Sequence, residues 1–391
     1  MAVTLTNADK ALKSYYLDAI SEQLNDNLSP FFSAIEKTTN NVYGKEVRKL
    51  SIFGINGGIG AGTEDGNLPE AKGNNYAEIV STLKNLYGVI EISDKAIRAS
   101  ENNSGAFVNL LNAEMDGLIK SSKINFSRML FGDGNGYVAT VNSFDGDYFM
   151  VDDTAGVLEG MVIDVRKPDG KIVSELSKRT VKTVDRKESA VFISGDAVDA
   201  EVPEGSYLCI HGAYGNEITG LKEIFDTSSE SLYGLDKYEN SWLVPYVEEE
   251  VSTLTVEKIQ NVLDKVEEAT GDQTNLIVCS WGVRRALQKL FATNRVVLDT
   301  MEVNGGYKTI SYNGIPIVAD RFCPKGSMYF LNTNDFTLHQ LCDWQWLADD
   351  DGKVLKQVPG KPVYTATLVK YAELICSRPC GQAALFGINE L

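Results

Sequence analysis

The sequence predicts an α+β fold on three observations. A glycine-rich stretch near the N-terminus lies between two alternating, β-branched runs; one long amphipathic segment follows it; and short strand-like runs with two helices among them make up the remainder. With 391 residues, 43% hydrophobic and 23% charged, the chain can bury a sizeable core spread over two or three folding units.

In order along the chain, residues 8–24 carry Ala11, Leu12, Tyr15, Tyr16, Ala19 and Ile20 at helical spacing and predict a first amphipathic helix. Ser29-Pro30 predicts a second, short helix, with Ser29 as its cap and Pro30 in its first turn, ahead of Phe31, Phe32 and Ile35. Polar, Asn-rich segments separate the two, which suits an arm laid against something else.

Val47 to Ile55 reads as a strand running into GINGGIGAGTEDGNLPEAKGNN, and Tyr76 to Ser93 reads as the return strand. This long hairpin has too few apolar residues for a core of its own. An isolated two-stranded hairpin is marginal in water, and its edges call for a partner that a neighbouring copy of the chain supplies most simply. From Ser104 to Leu130, Phe107, Leu110, Leu111, Leu118, Ile119, Phe126, Met129 and Leu130 recur at helical spacing and Gly132 marks a stop. At 1.5 Å per residue that helix is about 40 Å long.

Over 137–213, five short runs (Tyr137–Val141, Tyr148–Val151, Met161–Val165, Ala190–Ile193, Tyr207–Ile210) alternate with Asp-Gly, Pro-Asp-Gly and Glu-Gly turns and predict an inserted all-β domain. Thr255 then caps a helix with Val256, Ile259, Leu263 and Val266 inward and Gly271 past its end. Leu276–Cys279 reads as a buried strand, Trp281–Phe291 as a helix, and Tyr307–Val318 as strands turning at Asn313-Gly314. The last part is strand-rich (Met328–Asn332, Thr337–Leu341, Val363–Cys376), with a turn at Asp349-Asp350-Asp351-Gly352.

Charge excludes several classes of partner. Thirty-seven Lys and Arg against 54 Asp and Glu leave a net charge of −17, contrary to a protein that grips nucleic acid or an anionic membrane over a wide face. The start lacks the basic and apolar regions of a secretory signal, and no run of about 18 apolar residues occurs, so a cytosolic product is expected. Six scattered cysteines (Cys209, Cys279, Cys323, Cys342, Cys376, Cys380) read as reduced thiols. Two histidines, His211 and His339, leave little material for acid–base or metal chemistry.

Each chemical motif meets a plainer explanation. The cluster Gly54, Gly57, Gly58, Gly60 and Gly62 fits no G-x-G-x-x-G register and runs on into TEDGNLPE, with no helix N-terminus to receive phosphate, so it reads as a mobile hairpin tip. Gly215 and Gly220 have Walker spacing without its Gly-Lys-Ser/Thr ending. Val278-Cys-Ser-Trp-Gly282 is half of a nucleophile elbow, with Asp320 and His339 following in hydrolase order, but Val278 stands where the first glycine belongs and Ser280 serves equally as a helix N-cap. Cys323, Cys342, Cys376 and Cys380 with His339 lack paired zinc spacing, and Asp349–Asp351 lacks the alternation of a calcium loop. No catalytic residue, cofactor or metal is expected.

The order of parts resembles the major capsid proteins of tailed bacteriophages with the Hong Kong 97 type fold. The residues that carry the resemblance are the arm, the hairpin with Glu64-Asp-Gly-Asn-Leu-Pro-Glu70, the return strand ending Val89-Ile-Glu-Ile-Ser93, the long helix, Asn313-Gly-Ile-Pro-Ile-Val-Ala-Asp320, Phe330-Leu-Asn332, Tyr371-Ala-Glu-Leu, and Pro379 to Phe386. It covers nearly the whole chain. It implies an N-terminal arm over 1–45, an extended loop over 46–92, a peripheral domain with a spine helix over 93–136, and the inserted β domain over 137–213. A connection over 214–244, an axial domain over 245–332, peripheral strands over 333–379 and an axial C-terminal strand over 380–391 complete the map.

The function implied is structural. Hexamers and pentamers would tile an icosahedral head around double-stranded DNA held without sequence-specific contact, in a virion assembled in the bacterial cytoplasm. Scaffolding, portal and possible decoration proteins would be its partners, with scaffolding supplied separately because the chain begins at the arm. Glu64, Asp65, Leu68, Pro69, Glu70 and Lys72 of the loop, with Phe31 and Phe32 of the arm, are the candidate subunit-interface residues. Lys72 is also the lysine of the loop that an isopeptide crosslink of the kind some members form would use. An encapsulin-like nanocompartment shell and a soluble serine hydrolase using Ser280 are the competing readings.

Overall fold

The computed structural model describes residues 29–95, 104–293, 300–303, 307–348 and 354–390. The helix expected over 8–24 and the turn expected at 349–352 lie outside them. The chain opens on a short helix α1 (Pro30–Ala34), with Pro30 in the first turn. Ser29 makes no side-chain cap; instead its carbonyl accepts from Ser33 N at 3.1 Å. Strand β1 (Glu36–Thr38) follows, then β2 (Val42–Tyr43), β3 (Glu46–Phe53) and β4 (Asn75–Thr82), which form a three-stranded antiparallel sheet in the order β2-β3-β4.

The return strand expected from Tyr76 to Ser93 is two strands. It breaks at Leu83, whose N–H donates to Lys45 O at 2.9 Å, and the second piece, β5 (Lys84–Ser93), joins a different sheet. The buried set shifts at the break from odd to even positions, Ile79 and Leu83 before it and Leu86, Ile90 and Ile92 after it, so each piece turns its own apolar face to its own sheet. Helix α2 (Ser104–Met129) then lies on β5 and buries Met115, Ile119, Phe126 and Met129 at spacings of four, seven and three. Gly88 permits that approach: a Cβ there would stand 2.9 Å from Leu118 Cδ1.

Residues 137–210 form a closed six-stranded barrel of β6 (Tyr137–Asp145), β7 (Tyr148–Val151), β8 (Val162–Arg166), β9 (Arg179–Asp185), β10 (Ala190–Ile193) and β11 (Ser206–Ile210), in the cyclic order β10-β7-β6-β11-β8-β9. Its own core includes Val141, Phe149, Ile163, Val191 and Leu208, all buried. Closure leaves no unpaired edge. The barrel's entrance and exit adjoin: Tyr137 pairs with Cys209, and Ile210 N donates to Gly136 O at 3.0 Å.

A short helix α3 (Leu221–Ile224), strands β12 (Ser231–Leu232) and β13 (Leu235–Asp236), and strand β14 (Tyr246–Glu248) lead to helix α4 (Val256–Thr270). Thr255 caps α4 by accepting from Lys258 N at 3.2 Å, and Gly271 ends it in the left-handed region at φ 73°. Next come β15 (Leu276–Cys279), α5 (Trp281–Thr293), β16 (Thr300–Val303), β17 (Tyr307–Tyr312), β18 (Ile315–Ala319) and β19 (Met328–Leu331). Asn313 and Gly314, at φ 50° and 79°, form the two-residue turn between β17 and β18 that the sequence predicts.

The chain closes with β20 (Phe336–Trp346), β21 (Lys356–Gln357), β22 (Val363–Cys376) and β23 (Ala383–Leu385). Seven strands form one sheet in the order β14-β23-β19-β15-β18-β17-β16, which shares a core with α4 and α5. Five form another, in which β22 pairs with β20, β21 and β5 while β1 runs parallel to β20. That sheet draws on segments from both ends of the described chain, and its core holds Phe31 of α1, Phe126 of α2 and Phe336 of β20. No helix among the described residues is long and apolar enough to cross a membrane.

Candidate assembly surface

The β3–β4 hairpin has one face on its own subunit and one on solvent. On the inner face Val47 and Ile79 are fully buried and Phe53 stacks on Trp242 with ring centroids 5.6 Å apart, while along the edge of β4 Val80 N donates to Tyr233 O at 3.1 Å. On the outer face Leu50, Ile52 and Tyr76 are 64%, 61% and 56% exposed, and the register sets Ile52 directly opposite Tyr76. Arg48 spans the same face between Glu46 at 3.0 Å and Glu78 at 3.5 Å. Three large apolar side chains side by side on a strand pair, rimmed by charge, is the make-up of an interaction surface.

Beyond the strands the loop over 54–74 carries Glu64, Asp65, Leu68, Pro69, Glu70 and Lys72, all exposed, with Ile55, Ile59 and Leu68 at 78%, 79% and 89%. Local contacts shape it: Asn56 accepts from Gly58 N at 2.8 Å and donates to Asn74 at 3.0 Å, and Lys72 lies so close to Gly57 that a Cβ there would stand 3.0 Å from Lys72 Cδ. The loop leads into β4, a strand and not a helix whose N-terminus could receive phosphate.

Six of the eight candidate interface residues thus share one exposed loop. Phe31 and Phe32 are corrected: they are 0% and 3% exposed, with Phe31 edge-on to Phe336 at 5.2 Å and Phe32 edge-on to Phe126 at 5.2 Å. Two aromatic rings beside a proline turn read as an arm in sequence because the strand and helix that cover them lie far along the chain.

Buried charges form a second group, which sequence reasoning missed. Arg128, near the end of α2, pairs with Glu217 in the segment after the barrel; both are buried, and Asn125 and the Tyr137 carbonyl take the rest of the guanidinium. Lys370 is fully buried in β22 and donates to Gln340 at 2.7 Å and Asp343 at 2.6 Å; burial lowers its pKa and Asp343 opposes that shift. Glu373 accepts from Thr219 N at 2.8 Å, and burial pushes its carboxyl up to about 7 against the pull of Thr219 and Lys84. The one available signal was that Lys370 and Glu373 interrupt an otherwise apolar strand run.

The residues weighed for catalysis do not meet. Ser280 donates to Glu390 and accepts from Val283 N at 3.3 Å as a helix cap, whereas His339 sits in the other sheet with Nδ1 on Asn40 O at 2.9 Å. Asp320 accepts from Phe322 N at 2.9 Å, and burial raises its pKa. His211 pairs with Asp164 of the barrel at 2.9 Å. All six cysteines are free, and among the described residues no three His, Cys, Asp or Glu side chains converge as metal ligands would. Gly220 is packing: a Cβ on it would stand 2.4 Å from Met129 O, under the end of α2.

Comparison with known proteins agrees with this architecture. In fold, the chain is similar to the capsid asymmetric unit of cyanophage A-1(L), at TM-score 0.57 and 11% identity over 92% of each chain. It is also similar to the holo-SrpI encapsulin complex of Synechococcus elongatus, at TM-score 0.50 and 10% identity over 93% of this chain and 89% of that one. The fold is therefore of the Hong Kong 97 type, shared by phage capsids and encapsulins. No curated protein matches in sequence. What separates the two classes is the family model described as SU10 major capsid protein, which matches residues 4–354, and on that match the chain belongs to the SU10 major capsid protein family.

Proposed function

We propose that this subunit forms hexamers and pentamers of an icosahedral phage head, joined by the outer face of the β3–β4 hairpin and its tip lying on a neighbouring copy. The observation that carries the reading is the row Leu50, Ile52 and Tyr76, apolar and exposed on a hairpin whose other face is already packed on its own subunit. In a free monomer that row costs free energy that a neighbour's cover would recover.

On this reading the hairpin is the extended loop, α2 the spine helix, the five-stranded sheet the peripheral domain, the seven-stranded sheet the axial domain, and the barrel an insertion. The head encloses double-stranded DNA without specific contacts, as a net charge of −17 suits, and assembles in the bacterial cytoplasm with scaffolding and portal proteins. No catalytic role is assigned. Lys72 stays a candidate for crosslinking; its neighbour across the interface would have to supply an asparagine and a buried carboxylate.

Leu50→Asp with Ile52→Asp tests the reading. These positions are exposed and the changes should cost the monomer about 1 kcal/mol, Leu50 facing Glu78 across the strand pair, yet charge on the row should abolish rings and shells in electron micrographs. Shells of normal number and size from the double variant would refute it, and shells that never hold DNA alongside portal protein would favour a nanocompartment.

A further inference from the structure

Resting on the shell reading, we propose that Tyr233 is a positioning residue for assembly. It braces the corner where the chain leaves β4 for the five-stranded sheet, and with Trp242 it sets the angle at which Leu50, Ile52 and Tyr76 are held out to a neighbouring copy. The chain passes from β4 to β5 through the single residue Leu83, so hairpin and sheet meet at one junction. Tyr233 spans it. Its carbonyl accepts from Val80 N on the edge of β4 at 3.1 Å. Its hydroxyl donates to Leu374 O and accepts from Cys376 N on β22, each at 3.1 Å. β5 pairs with β22 only as far as Ala372, so the hydroxyl takes main-chain groups that lie past the end of that pairing.

Tyr233 is itself held against its backbone preference. It is buried at φ 52°, in the left-handed region that a bulky side chain rarely adopts, and with Gly234, at φ 76°, it forms the two-residue turn between β12 and β13. A residue stays in such a conformation where its surroundings over-determine it. Here three hydrogen bonds to two strands of different sheets do so.

Burial alone does not fix the direction of the hairpin. Val47 and Ile79 anchor its near end, but apolar burial is non-directional, whereas a hydrogen bond weakens steeply with misalignment. Past Ile79 toward the tip, the inner face carries Ser51 opposite Ala77 and then Phe53 as its one large apolar side chain. Phe53 rests on Trp242, in a single 3-10 turn (Ser241–Leu243) whose Leu243 is fully buried. Both braces thus come from the segment between α3 and β14. Tyr76 stands seven residues from Leu83. That is about 23 Å along a strand, so a tilt of about 10° at the corner displaces it by about 4 Å, a full contact distance.

The test is the distance between spin labels on Asn75→Cys, at the far end of β4, and Lys120→Cys, on α2, both exposed, in the full-length unassembled chain. The parent for it carries Cys342→Ser and Cys380→Ser, which removes the two native thiols that are not fully buried. It should show one narrow distance. Tyr233→Phe, which removes only the hydroxyl, should shift or broaden that distance by about 4 Å or more. Trp242→Ala should do the same, and its half-buried position keeps the test open if Tyr233→Phe does not fold. Each should raise the protein concentration needed for shell assembly by about 10-fold. Ile259→Val, in the core of α4 and the seven-stranded sheet, should lower the melting temperature and leave the distance unchanged, which separates positioning from stability. An unchanged narrow distance in a folded brace variant, equal broadening in Ile259→Val, or a shifted distance with assembly at the parent concentration would overturn the proposal and leave the shell reading standing. Parent protein that forms no shell with its scaffold would overturn the shell reading and with it the role in assembly, while the label distances would still decide the brace.

Discussion

Glu373→Gln should stabilise the isolated subunit, and increasingly so as pH rises. Glu373 is fully buried in β22, its carboxyl is pushed up to about 7 from 4.5, and the leading cause is burial. Below pH 4.5 both folded and unfolded chains hold the proton and ionisation of the carboxyl costs nothing. Between 4.5 and about 7 the unfolded chain ionises while the folded one does not, so stability falls by about 1.4 kcal/mol per pH unit. Above 7 the loss levels off at about 3 kcal/mol.

Glutamine keeps an acceptor for the Thr219 N–H and cannot ionise. The advantage of the variant should therefore grow by about 2–3 kcal/mol between pH 5 and pH 8.5. His339, paired in register with Glu373 on β20, has a pKa lowered by burial and acts in the opposite sense, and Lys84 on β5 favours the ionised carboxyl. Subtracting wild type from variant at each pH removes the histidine's own contribution. Urea unfolding of the monomer across that range is the assay. A difference that stays flat with pH, or a variant less stable than wild type at pH 8.5, would refute the reasoning.

Three further outcomes are expected. Arg128→Met should leave Glu217 as an uncompensated buried charge and cost about 3–5 kcal/mol, measured by thermal or urea unfolding. A loss below about 1 kcal/mol would mean water reaches the pair. Gly220→Ala should cost about 1–3 kcal/mol, since its Cβ meets the backbone oxygens of Met129 and Gly132; an unchanged melting temperature would count against that packing. Replacing residues 138–209 with a short glycine linker should leave the two sheets folded by circular dichroism and protease resistance, because the barrel has its own core and its ends adjoin. A molten product would show that the barrel carries part of the body's stability.

Local chemistry made much of the fold legible. The cap at Thr255, the stop at Gly271, the Asn313-Gly314 turn and the alternating runs of the barrel are each decided within a few residues, by backbone hydrogen bonds and φ preferences that neighbouring side chains set. The exposed tip from Glu64 to Lys72 was legible for the same reason, since polar, glycine-rich chain has no apolar face to bury.

Choice of partner was not legible, because it rests on contacts far apart in sequence. Phe31 meets Phe336 across about three hundred residues, the run after Tyr76 divides between two sheets at Leu83, and Arg128 and Glu373 find Glu217 and Thr219 beyond the barrel. The residues of this chain therefore determine its elements, its exposed hairpin tip and its excess of negative charge, while the tertiary arrangement decides which apolar side chains are core and which stay exposed. Burial is a property of what covers a side chain, and here the cover comes from distant parts of the chain.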